Sequence, residues 1–85
     1  MAEKAIGKIT NYFGRIGVAV VELTEEPLRV GDNIRIKGHT TDLEMQVASL
    51  QIEHEEVDEV KVGESGGLKV SDVVKRNDIV YKVTE

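Results

Sequence analysis

Apolar residues in this chain recur at every second position, and no stretch of useful length carries the spacing of a helix. Ile34 and Ile36 alternate with Asn33, Arg35 and Lys37, and Ile79, Tyr81 and Val83 alternate near the end. A period of two marks a strand with one face covered. The run Val18-Ala19-Val20-Val21, bounded by Gly17 and Glu22, is unbroken and rich in β-branched residues, which predicts a strand covered on both faces. Only residues 53–61 could form a helical turn, and their charge favours a loop. The pattern predicts an all-β chain with strands near 5–13, 16–23, 32–38, 43–54, 65–71 and 78–83.

The segment from Leu43 to His54 adds a finer constraint. Met45 and Val47 share one parity, Leu50 and Ile52 the other. A flat strand would put these pairs on opposite faces. A β-bulge near Ala48-Ser49 returns both to the core and bends the strand, as closing a small barrel requires. Two separate strands are the alternative. The turns are equally marked. Gly14 sits where a hairpin turn is needed, and Glu25-Glu26-Pro27 breaks the next connection. Val30-Gly31-Asp32, Val62-Gly63-Glu64 and Arg76-Asn77-Asp78 each place a residue that tolerates positive φ before an acid.

Eighty-five residues make a single domain, 1–85 with its core over about 6–83. With no cysteine, neither a disulfide framework nor a thiolate zinc site can form. Met1-Ala2-Glu3-Lys4 lacks the apolar run of a signal peptide, and the expected location is cytoplasmic. The net charge of −5 is concentrated in residues 41–64, where eight acids face Lys61 alone. Such a segment suits a basic protein surface better than a phosphate backbone. His39 and His54 lack metal-ligand spacing, no serine sits in a nucleophile elbow, and Gly63 to Gly67 lacks the Lys-Ser/Thr ending of a phosphate loop. No catalytic residue, metal ligand or cofactor is expected, and the chain is read as non-enzymatic.

The order of these turns and strands resembles that of a known family. Leu28 to Ile36, with Val30-Gly31-Asp32, resembles a turn and strand in the second domain of translational GTPases such as elongation factor Tu. Gly14-Arg15-Ile16-Gly17-Val18-Ala19-Val20, Val62 to Leu68 and Val74 to Val80 resemble three further segments of that domain, and the similarity runs from about Ile6 to Val83. Ile16-Gly17-Val18-Ala19, Ile36 to Asp42 and Gln51-Ile52-Glu53-His54 are more similar to the small translation elongation factor-like proteins and to the C-terminal barrel of collagenase-like bacterial peptidases. The resemblance implies a six-stranded closed antiparallel β-barrel of the translation-factor second-domain type. It also implies that Glu59 corresponds to a glutamate beside the pocket for the terminal adenine of tRNA. Ser71 stands where that family has an arginine, and the GTPase domain is missing.

Two functions follow as expectations. The first is a binding module associated with RNA, tRNA or the ribosome, with Lys8, Tyr12, Arg15, Arg35, Lys37, Glu59 and Lys69 as contacts. Cations would meet phosphates while an aromatic stacks on a base. The second is a protein-interaction accessory that docks on a partner enzyme such as a collagenase-like peptidase, its acidic segment 53–64 facing a basic surface.

Overall fold

The computed structural model describes residues 2–84. Ten strands follow in chain order: β1 (Ala2–Phe13), β2 (Val18–Leu23), β3 (Leu28–Arg29), β4 (Asn33–Lys37), β5 (Asp42–Gln46), β6 (Leu50–Ile52), β7 (Glu55–Val57), β8 (Glu59–Val60), β9 (Ser65–Lys69) and β10 (Ile79–Thr84). The described residues contain no helix, and all strand pairs are antiparallel. Eight strands form one sheet in the order β5-β4-β10-β1-β2-β9-β6-β7, and β3 and β8 form a separate ribbon. The all-β antiparallel expectation therefore holds.

The closed six-stranded barrel does not form. The sheet is open, with β5 at one end and β7 at the other. The cause lies in the segment expected as one bent strand. Val47 donates its N–H to Asp32 C=O at 2.8 Å and accepts from Gly31 N–H at 2.9 Å, so its backbone serves a turn instead of a ladder. The chain leaves the sheet as β5 beside β4 and re-enters as β6 beside β9. The parity change is still realised. Val47 and Leu50 are both fully buried, and Met45 and Ile52 pack against the core beside them.

The three turns predicted from Gly-Asp, Gly-Glu and Asn-Asp share one construction. Gly31, Gly63 and Asn77 take φ of 97°, 87° and 75°, the left-handed region where a Cβ is costly and Gly and Asn are favoured. The acid that follows accepts a hydrogen bond from the N–H three residues back. Asp32 does so from Arg29 at 2.9 Å, Glu64 from Lys61 at 3.0 Å and Asp78 from Lys75 at 2.8 Å. Each turn then grips one core residue by both its backbone groups. Val47 is held by the first turn, Leu23 by the second (2.8 and 3.1 Å) and Ile9 by the third (2.7 and 2.8 Å). A local sequence signal thereby fixes three long-range contacts, and all three gripped side chains are buried.

The core lies on one face of the sheet and includes Ile6, Ile9, Val21, Leu23, Ile34, Ile36, Leu68 and Val80, while the ribbon sets buried Leu28 opposite buried Val60. On β10 the alternation points the other way from the sequence expectation. Val80 faces the core, and Ile79, Tyr81 and Val83 are half-buried on the outer face. Segment 53–61, expected as a charged loop, instead closes the β6–β7 hairpin and supplies β7 and β8. It gives the acids a structural use. Glu55 and Glu56 are exposed on terminal β7, and Asp42 and Glu44 on terminal β5. Charges on open edges oppose strand addition by another chain.

Candidate docking groove

The unbroken run Val18 to Val21 predicts cover on both faces, and the structure provides it on one. Ala19 and Val21 are fully buried in the core. Val18 and Val20 point outward and are only half-buried. They form the floor of a shallow groove of about 250 Å³ together with Gly66, Gly67 and Gln51. Register explains the shape: Val20 pairs with Gly67, and Gly67 pairs in turn with Gln51, so the middle strand adds no side chain at the centre of the floor and only Ser65 at its edge.

One wall is the turn after β1. Ile16 lies in it and Phe13, the last residue of β1, stands at its start, with 64% and 47% of their surface exposed. The opposite wall is the tip of the β6–β7 hairpin, Glu53-His54. Both tip residues have positive φ, 50° and 68°, the requirement of the tight hairpin turn that Asn-Gly meets most easily. A Glu-His pair there holds strain of about 1–2 kcal/mol per residue. Replacing the pair with Asn-Gly (E53N/H54G) is expected to raise the urea midpoint, corresponding to a gain of about 1 kcal/mol or more.

The sequence-predicted contacts do not converge on this groove. Lys69 and Ile16 border its continuation past Gln51, with Glu56 opposite; Arg15 is exposed in the adjoining turn. Tyr12 is half-buried and packs against the core. Lys8 and Lys37 lie on the other flank, each paired with Ile79, and Lys37 Nζ is 5.9 Å from the Tyr81 ring centre. Arg35 is held by Asp42 at 2.8 and 2.9 Å and by Glu3 at 2.9 Å. Glu59 receives Arg29 Nε at 2.8 Å. These two are occupied by partners within the chain. Sequence reasoning missed Phe13, Ile16, Gly67 and Gln51 as one site; the available signal was the apolar run that no second layer covers.

The Arg35 pair has a pH signature. Hydrogen bonds from Arg35 hold the Asp42 carboxyl below its usual range; some loss of hydration opposes this, and the charges of Arg35 and Lys37 add to it. A depressed carboxyl pKa contributes stability above the unfolded value near 4 that is lost as pH falls through the folded value. Arg35→Gln should therefore lower the urea midpoint at neutral pH, and the gap from the parent should shrink below about pH 4.

With this geometry in place, the chain can be set beside known proteins. No protein-family model matches it. Over 95% of its length it superposes on 93% of the C-terminal domain of a Geobacillus thermoleovorans protein assigned to the U32 peptidases, with a TM-score of 0.87 and 18% identity. The chain shares the fold of a U32 peptidase C-terminal domain. A selenomethionine variant of the same domain superposes with a TM-score of 0.83 and 18% identity, covering 91% of this chain and 96% of that one. In sequence, the chain is 40% identical over 81 residues to an uncharacterised protease of Methanocaldococcus jannaschii, across 94% of this chain and 20% of that protein. It is 33% identical over 78 residues to a collagenase of Porphyromonas gingivalis, across 91% of this chain and 22% of that protein. The chain thus spans about a fifth of the curated relatives it matches. These neighbours are peptidases, and the resemblance to the second domain of translational GTPases finds no support among them.

Proposed function

We propose that this chain is a non-catalytic accessory domain that docks on a peptidase domain of the collagenase-like type. The observation that carries this is the 40% identity spanning nearly the whole chain but only a fifth of a protease. A module that recurs as a small part of larger peptidases has the remaining four-fifths as its natural neighbour. The uncovered outer face of β2 supports the same reading, because an exposed apolar patch beside polar groups is the usual form of a protein contact.

The test uses the M. jannaschii protease with its matching fifth removed. Mixed with the 85-residue chain, the truncated protease should co-elute with it in size-exclusion chromatography. Added salt should weaken the complex, given the charge on segment 53–64. Separate elution at all salt concentrations rejects the proposal.

A further inference from the structure

We propose that the groove between Phe13-Ile16 and the Glu53-His54 hairpin binds an extended peptide segment of a partner protein, one presenting a large apolar side chain next to an arginine or lysine. The proposal rests on the docking function above and names the chemistry of the surface that would be recognised.

Three features of the groove point to such a ligand. The first is its apolar floor, which the fold does not need for its own core. Val18 and Val20 face outward, and Phe13 and Ile16 stand exposed beside them. The second is Gly67. Its φ is not positive, and a Cβ there would lie 3.2 Å from the Val18 Cγ1 methyl and 3.8 Å from Gln51. The backbone conformation therefore does not demand glycine, although a Cβ would press on the Val18 methyl, and a glycine inside a strand weakens it. What the missing side chain provides is depth at the centre of the groove. The third is the strain at Glu53 and His54. Non-glycine residues held at positive φ concentrate where a local conformation serves binding, and here they form the wall that faces Ile16.

The polar groups define what kind of ligand fits. Gln51 makes no side-chain hydrogen bond to the described residues. A primary amide donates and accepts, which matches a peptide group lying along the floor. Glu53 takes part in no ion pair among the described residues and lines the hairpin wall. It places negative charge beside an apolar slot, which favours a cation next to the apolar anchor and repels a nucleic-acid phosphate. At the far end, past Gln51, the opposite charges of Lys69 and Glu56 stand together, which leaves Glu53 as the one-sided charge beside the apolar slot, so the ligand's basic residue belongs at the hairpin end.

The test is a titration of the ¹⁵N-labelled chain, followed by NMR, with the blocked peptide acetyl-Gly-Arg-Leu-Gly-amide. Saturable shifts are expected at the amides of Val18, Val20, Gln51 and Gly67. Exchanging the peptide's arginine for glutamate should weaken binding about tenfold, as should exchanging its leucine for glycine. Gly67→Val, which fills the floor, should do the same. Ile16→Gln, at an exposed position, repeats the test should Gly67→Val fail to fold. Shifts confined to another face, equal binding of the glutamate peptide, tighter binding of a uridine oligonucleotide, or a dimer that buries the same amides would each overturn the proposal. The truncated protease separates it from the docking function. Undiminished binding to Gly67→Val and Ile16→Gln would discard the groove and keep the docking. No binding to the parent chain would discard the docking, while the peptide titration still judges the groove.

Discussion

Gly7→Ala should unfold this domain at a markedly lower temperature than the parent, although it adds one methyl group. Gly7 lies in β1 between Val80 of β10 and Leu23 of β2. A Cβ there would penetrate the backbone carbonyl oxygen of Glu22 and come within 3.0 Å of Leu23 Cδ2. The carbonyl cannot swing away, because Glu22 is paired on both sides, with Lys8 and with Ser65. Its neighbour Leu23 is held by the turn at Gly63. Overpacking against a fixed backbone costs about 3 kcal/mol, or roughly 15 °C in a domain of this size. Two other glycines calibrate the result. Gly31→Ala meets nothing within 4 Å but sits at φ 97°, so it should lose about 1 kcal/mol from conformation alone. Gly14→Ala, without a positive φ and with its nearest contact at 3.4 Å, should change stability little. Thermal denaturation of the three variants separates steric from conformational cost. A Gly7→Ala loss no larger than that of Gly31→Ala would show that β1 can shift its register.

Those glycines also mark what was legible in the sequence. Gly31, Gly63 and Asn77 announced their turns because a positive φ and a following acid are local requirements. The switch of parity between Val47 and Leu50 was legible for the same reason. What it did to the sheet was not. Whether Val47 continues a ladder or serves the turn at Gly31 depends on residues some fifteen positions away, so bulge and break look alike in sequence. The hairpin at Glu53-His54 carried no Gly or Asn to announce it, and its acids made it look like a solvated loop. Alternation on β10 named the wrong face because its apolar set, Ile79, Tyr81 and Val83, lies on the outer face, whereas the inward face carries Lys82 and Thr84 beside Val80, the one buried residue of the strand. The groove joins residues from β1 to β9, and its one sequence trace was the double-sided run at Val18 to Val21. The cations at Arg35 and Lys37 were visible, whereas the partners that occupy Arg35 were not.

Gly38→Ala and Asp78→Ala should each destabilise the domain, and together should cost about as much as Asp78→Ala alone. Asp78 is a buried acid, 4% exposed, and its Oδ2 accepts from Lys75 N–H at 2.8 Å. Removing the carboxylate leaves that N–H without its partner, at a cost of about 1–3 kcal/mol. A Cβ on Gly38 would overlap Asp78 Oδ1 and lie 2.6 Å from Cγ. The carboxylate cannot relieve this by rotating without giving up the turn that grips Ile9, so Gly38→Ala should cost about 2 kcal/mol. The Asp78 Cβ, however, lies 3.4 Å away, an ordinary contact. With alanine at both positions the clash has no second partner, and the double variant should retain only the loss of the turn. The resulting coupling of about 2 kcal/mol, read from urea denaturation of the four proteins, would establish that Gly38 is required by the Asp78 side chain and not by its own backbone. Additive losses would mean that the 38–41 turn itself demands glycine.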